Sequence, residues 1–180
     1  PNFLYPAGCT LAEPKRRRLV ELSAEHGFWI FEDDPYREVR FGGDELPTML
    51  ALAEGTGARV VHASSFSKTV SPGVRIGYLI GPGEEIAALA KAANETYISP
   101  NMLAEAIVFE LCRSGGLDRN IGAVNAALAE RRDAVVAELG KQVPEAGFVV
   151  PGGGYFLWLD LAEGTDTRDL LGPAKEEGVA

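Results

Sequence analysis

The chain has 180 residues, of which 46% are hydrophobic and 24% charged, and it carries a net charge of −9 at pH 7. That length suits one globular domain, or one and part of another, and buries roughly 70% of the unfolded surface, enough to need no disulfide or metal staple. The composition excludes a disordered or collagen-like chain. The acidic balance argues against a nucleic-acid partner, and no apolar run approaches the ~18 residues of a membrane span.

Cys9 and Cys112 are the two cysteines. They make no disulfide framework and point to a reducing compartment, the cytoplasm. No charged-then-apolar leader is visible. The chain opens on Pro1-Asn2-Phe3 and closes on Gly178-Val179-Ala180, and both ends read as cuts in a longer protein.

Thr10 to Glu13 has capping-box spacing and Pro14 suits a first turn, so a helix is expected from near Glu13 to about His26, ended by Gly27. Phe28-Trp29-Ile30-Phe31 reads as a strand buried on both faces. A loop with Gly42, Gly43 and Pro47 follows, then a short helix over 48–54. Val60 to Ala63 reads as a second strand and Ile76 to Ile80 as a third. Gly83 opens a helix to about Glu95. Leu103, Ala106, Ile107 and Leu111 mark the apolar face of another, and Leu117 to Leu139 that of a long one. Phe148 to Val150 and Tyr155 to Leu159 read as strands around Gly152-Gly153-Gly154, and residues 166–177 as helical.

Strands alternating with helices predict an α/β fold with a mainly parallel sheet. The long helix, about 117–139, is a natural bridge to a second, α+β unit. The expected division is 1–125 for the larger unit and 126–180 for the smaller.

Among sites of chemistry, the familiar signatures fail first. CxxC, HExxH and GxSxG are absent from the sequence, and His26 and His62 are too few for most zinc sites. Lys68 stands out. It lies in a stretch, Val60 to Val74, with no other formal charge, after a strand and among Ser64, Ser65 and Ser67. Desolvation there favours a neutral, nucleophilic amine; the bland alternative is a loop-tip lysine in water. Glu32, Asp33 and Asp34 fall at a strand's carboxyl end, where parallel sheets place their sites. They could equally cap a loop or hold Mg²⁺. Tyr36 follows Asp33 by three residues, and Arg75 lies beyond Pro72-Gly73 at the start of a strand. Its planar fork suits phosphate, although alone it reads as a surface arginine. Together these residues supply what pyridoxal 5′-phosphate needs: a Schiff-base lysine, an acid for the pyridine nitrogen, and hydroxyls with an arginine for the phosphate.

Phe3-Leu4-Tyr5-Pro6-Ala7-Gly8, Glu32-Asp33-Asp34-Pro35-Tyr36, Ser65-Phe66-Ser67-Lys68-Thr69 and Pro72-Gly73-Val74-Arg75-Ile76-Gly77-Tyr78 occur in that order. They resemble the successive motifs of fold type I, class I/II aminotransferases, nearest the 2-aminoadipate or aromatic aminotransferase-like branch. Gly153-Gly154-Tyr155-Phe156-Leu157-Trp158 resembles a motif of that family's small domain.

The resemblance implies a three-layer α/β/α large domain, part of which would be present here, followed by part of a small α+β domain. It implies amino-group transfer between an amino acid and a 2-oxo acid in a homodimer. It also assigns roles. Lys68 would form the Schiff base with pyridoxal 5′-phosphate and move a proton from the substrate. Asp33 would pair with the pyridinium nitrogen, Tyr36 would bond the 3′-oxygen, and Ser65, Ser67 and Arg75 would bind phosphate. Tyr5 stands where the family usually has Asn and would offer its hydroxyl to the 3′-oxygen instead. Family members run to about twice this length, so the 180-residue piece alone is expected to be inactive.

Two other readings compete. Aminotransferase-like domains also serve as ligand sensors in transcriptional regulators, some with an aromatic residue at the position of Tyr5. A Mg²⁺ enzyme built on Glu32, Asp33 and Asp34 would leave Lys68 and Arg75 unexplained. The run Lys15-Arg16-Arg17-Arg18 reads as a solvated helix face.

Overall fold

The structure, a computed structural model, describes residues 1–179. The first helix, α1 (Glu13–His26), ends at Gly27, whose φ of 75° no β-carbon-bearing residue adopts without cost. Its start differs from the capping-box expectation. Ala12 is the N-cap, and the Thr10 hydroxyl accepts instead from the Phe3 backbone N–H at 3.2 Å.

Strand β1 (Trp29–Asp33) pairs in parallel with β2 (Arg59–Ser65), in a register that sets Asp33 against Ala63. Between them lies the four-residue helix α2 (Met49–Leu52). Strand β3 (Gly77–Ile80) then returns antiparallel to β2, with Ser65 opposite Gly77, giving a sheet of order β1-β2-β3. The antiparallel return follows from the short connection: a parallel strand would need a long crossover.

Val20 of α1, Met49 of α2, Ala53 just after it, Ile30 and Val60 form the core on one face of this sheet. The expectation that 28–31 is buried on both faces does not hold. Burial alternates: Ile30 and Glu32 are buried, whereas Trp29 and Asp33 are exposed and Phe31 is 65% exposed. Successive side chains of a strand point to opposite faces, and along β1 only the face toward α1 and α2 is covered, whereas in β2 Val61 and Ala63 are buried on the other face as well.

The helices α3 (Gly83–Tyr97), α4 (Met102–Arg113) and α5 (Gly116–Gln142) follow. In α4 the buried residues are Ala104 and Val108, which pack on Ile76, Phe66 and Val74. Leu103 and Ile107, expected on the buried face, are exposed. The 100° step of a helix puts 104 and 108 on one line and 103 and 107 beside it, and the sheet end takes the smaller pair.

Strands β4 (Gly147–Phe148) and β5 (Leu159–Asp160) form a two-residue antiparallel pair, shorter than the strands expected there. The intervening glycines are tied to the 39–42 segment. Gly154 N–H donates to Val39 O at 2.8 Å, and Phe41 and Gly42 N–H both donate to Gly152 O. A 3₁₀ turn (Thr167–Leu170) and α6 (Leu171–Glu176) complete the chain. No helix among the described residues is long and apolar enough to cross a membrane.

Candidate active site

The three consecutive acids after the apolar half of β1 part company. Glu32 turns into the core, where Met49 and Leu50 N–H donate to its two oxygens at 2.7 and 3.2 Å and His62 Nδ1 lies 3.0 Å away. Burial pushes its carboxyl up, but these bonds and the His62 charge outweigh it and hold the carboxyl below its ordinary value. Asp34 is buried too. Asn2 Nδ2 donates to its Oδ2 at 2.6 Å and Asn2 N–H to its Oδ1 at 3.3 Å. Asn2 Oδ1 in turn accepts from Arg16 Nη2 at 2.9 Å and Arg40 Nη2 at 3.0 Å. Arg16 is therefore no part of a solvated face: it is fully buried, and Leu11 O and Pro47 O accept from it as well.

Asp33, between them, lies on the exposed face, and its carboxylate takes part in no hydrogen bond or ion pair among the described residues. The acids thus do not converge on one ion. No group of three metal-ligating side chains forms among the described residues, and the three acids of the Mg²⁺ reading face different ways.

Lys68 sits in the turn that follows β2, at the same end of the sheet as Asp33. The turn is closed by Phe66 N–H to Ile76 O at 3.0 Å and by Val70 N–H to Phe66 O at 2.8 Å. Two distant donors hold consecutive carbonyls in it. Tyr155 Oη donates to Lys68 O at 3.3 Å, and Asn120 Nδ2 of α5 donates to Thr69 O at 2.6 Å. Lys68 is half-buried, with Nζ 5.3 Å from the ring centroids of both Tyr36 and Tyr155. Its amine pairs with no carboxylate within 4.0 Å among the described residues.

The aromatic rings continue outward. Tyr36 lies edge-on to Tyr155 and to Phe156, both at 5.9 Å, and Phe156 lies 4.7 Å from Tyr5. Tyr5 is thereby joined to the Lys68 cluster through rings, although its own side chain is largely exposed.

Ser65 ends β2 opposite Gly77, and the Phe66–Ile76 bond carries that antiparallel register one residue further. Ser67 and Arg75 therefore flank the two arms of one turn. Arg75 is exposed, has φ 54°, and uses one Nη to reach Pro72 O at 3.3 Å. The rest of its guanidinium is open. Among the described residues the hydroxyls of Ser65, Ser67 and Tyr36 have no partner, whereas Ser64 donates to Asp34 O at 3.0 Å and Ser71 caps the following 3₁₀ turn (Pro72–Val74).

The arrangement contains an amine with no ion-pair partner, an open carboxylate, a phenol, two hydroxyls and a guanidinium, all at one end of a sheet. An aldehyde with a basic ring nitrogen and a phosphate has a complementary group for each of its polar ends here. Sequence reading did not assign Asn120, Asn2 or Arg16 a part in holding this site. A buried arginine inside a basic run has no local signature.

A family profile described as "Aminotransferase class I and II" matches residues 5–173. The chain is 35% identical, over its whole length, to "Aromatic-amino-acid aminotransferase 1" of Thermococcus litoralis, covering 43% of that protein. It is 34% identical, again over its whole length, to "2-aminoadipate transaminase" of Thermus thermophilus, covering 46% of it. The crystal structure of Pyrococcus horikoshii kynurenine aminotransferase, solved in complex with PMP, superposes with a TM-score of 0.92 at 33% identity, over 100% of this chain and 44% of that one. The chain thus spans less than half the length of these relatives.

Proposed function

Because this chain belongs to the class I and II aminotransferases, we propose that it is part of a pyridoxal 5′-phosphate enzyme that moves an amino group between an amino acid and a 2-oxo acid. The carrying observation is the contrast at the sheet end. Asp33, Tyr36 and Lys68 keep their polar ends free of hydrogen-bond and ion-pair partners among the described residues, while Glu32, Asp34 and Ser64 are committed to the fold.

When bound, the cofactor supplies an aldehyde for the lysine and a ring that accepts electrons from the substrate's α-carbon. The chain's own residues divide the remaining work. Lys68 is the residue whose amine would hold the cofactor through its aldehyde and, when free, would accept the α-proton as a general base. The Asp33 carboxylate holds the ring nitrogen protonated. The Tyr36 hydroxyl donates to the 3′-oxygen, and that of Tyr5 reaches toward the same oxygen. Ser65, Ser67 and Arg75 bind the phosphate, the arginine by its planar fork.

The exposed aromatic and aliphatic residues Phe31, Tyr97, Ile98, Met102, Leu103 and Phe109 support a complete protein in which further chain and a second copy cover these faces. A division near residue 125, within α5, fits the way β4 and β5 form their own small sheet. The exposed thiols of Cys9 and Cys112, both free, support a reducing compartment such as the cytoplasm. The sensor-domain reading is the weaker one, since the aminotransferases matched over the whole chain are 34–35% identical to it.

The test is to incubate the complete protein with pyridoxal 5′-phosphate, reduce with borohydride and map the modified peptide by mass. Attachment at Lys68, together with amino transfer to a 2-oxo acid, is expected. No attachment at Lys68 overturns the proposal.

A further inference from the structure

We propose that Tyr155 is a positioning residue for Lys68, holding the lysine's carbonyl with its hydroxyl and flanking the lysine's amine with its ring. This rests on the reading of Lys68 given above and concerns what aims its amine.

A lysine side chain has four rotatable bonds, and about 2 kcal/mol of rotamer entropy must be lost to hold it in one direction. Something has to restrict it. The turn fixes only the backbone, and the amine has no carboxylate partner among the described residues. What surrounds it is a pair of rings. Tyr36 and Tyr155 lie 5.9 Å apart at 61°, and Nζ is 5.3 Å from each centroid. That distance is within the ~6 Å over which a ring face attracts a cation.

The two rings arrive by different routes. Tyr36 follows β1 directly and is local to the site. Tyr155 comes from the glycine-rich segment 87 residues beyond Lys68, placed there by the bonds of Gly152 and Gly154 to residues 39–42. It is also the only one of the two that reaches the lysine's own backbone, through Oη to Lys68 O. One side chain therefore touches both ends of Lys68. Its hydroxyl is kept in the protonated, donating form: burial raises the Tyr155 pKa above its usual value, and the neighbouring Tyr36 adds to the rise.

The hydroxyl and the ring can be removed separately. Tyr155→Phe keeps the ring and loses the carbonyl bond; Tyr155→Leu loses both. Tyr155 is 45% exposed, so neither change opens a core cavity. The complete protein, free of cofactor, is reductively methylated with ¹³C-formaldehyde and the Lys68 methyl resonance is assigned with Lys68→Arg.

Wild type is expected to show an upfield ring-current shift. Tyr155→Phe retains it, and Tyr155→Leu loses about half, one of two rings being gone. Separately, the rate of borohydride-stable attachment of pyridoxal 5′-phosphate to Lys68 is followed by intact mass. It is expected to fall about tenfold in Tyr155→Leu and two- to threefold in Tyr155→Phe. A Lys68 methyl shift in Tyr155→Leu equal to wild type, or an attachment rate in Tyr155→Leu within twofold of wild type, overturns the proposal. Should Tyr155→Leu fail to fold, an attachment rate in Tyr155→Phe equal to wild type overturns the hydroxyl's part. Wild type that attaches no cofactor at all refutes the functional reading instead, and the methyl shift still decides the role of Tyr155.

Discussion

Asn2 Nδ2 donates to Asp34 Oδ2 at 2.6 Å, both side chains fully buried, and this bond turns the middle acid of the triplet outward by fixing the last one inward. Asp33 and Asp34 are adjacent and chemically alike, yet strand alternation gives them opposite tasks. Asp33→Asn is expected to change folding stability by less than ~0.5 kcal/mol, as at other exposed positions, while lowering turnover of the complete enzyme on the order of 10²-fold. Asp34→Ala is expected to cost about 2 kcal/mol by stranding the Asn2 donors. Denaturant melts and steady-state rates on both variants check the pair. A stability loss in Asp33→Asn as large as in Asp34→Ala contradicts the assignment.

Glu32 makes the fold sensitive to acid. Its carboxyl lies below the ordinary value in the folded chain because His62, Met49 and Leu50 bond its charged form. A carboxyl depressed on folding contributes stability that is full above the unfolded-state value, about 4.3, and is lost as pH falls through the folded-state value. Replacing Glu32 by Ala removes that contribution and strands two helix-end N–H groups and His62. A loss of about 3 kcal/mol at pH 7 is expected, with a shallower further loss toward pH 3 than wild type. Chemical denaturation at pH 7 and at pH 3 measures it.

Lys68→Arg separates charge from chemistry. The guanidinium keeps a cation beside the Tyr36 and Tyr155 rings, so stability is expected to stay within about 1 kcal/mol of wild type. It cannot condense with an aldehyde at neutral pH. Attachment of pyridoxal 5′-phosphate at position 68 should vanish in the mass spectrum and turnover should fall by on the order of 10³-fold or more. Residual activity near wild type would show that another amine serves.

Gly153 is where the glycine-rich segment touches the rest of the chain. A β-carbon there would lie 2.3 Å from Val39 O and 2.4 Å from the Phe3 ring. Gly153→Ala must therefore push the segment off, with an expected cost of about 3 kcal/mol. Tyr155 and Phe156 would move with it, so the mutant should also bind the cofactor more weakly. Thermal melts and cofactor titration read the two effects.

Much of this was legible in order along the chain. The boundary of α1 at Gly27, the presence of strands over 28–31 and 60–63, which in the structure run on to Asp33 and Ser65, and the long helix through residues 117–139 follow from caps, apolar runs and helical period, all local properties. Lys68 was visible as a charge without neighbours. What stayed hidden was non-local. The Thr10–Glu13 spacing fits a cap, but Phe3 N–H competes for the hydroxyl. Leu103 and Ile107 fit a buried face, but the sheet end receives Ala104 and Val108. Arg16, like Arg17, has a basic residue on either side in the sequence, and only the packing of Pro47, Leu11 and Asn2 around it distinguishes a buried cation from a solvated one.

The amino-acid order alone determined which chemical groups this protein carries and near which strands they emerge, because apolar runs and the breakers that follow them are written within a few residues. Which of three successive acids faces outward, and which tyrosine reaches the lysine, was decided only when segments dozens of residues apart met. Those choices depend on side-chain partners such as Asn2, Asn120 and Tyr155, whose contacts no local pattern encodes.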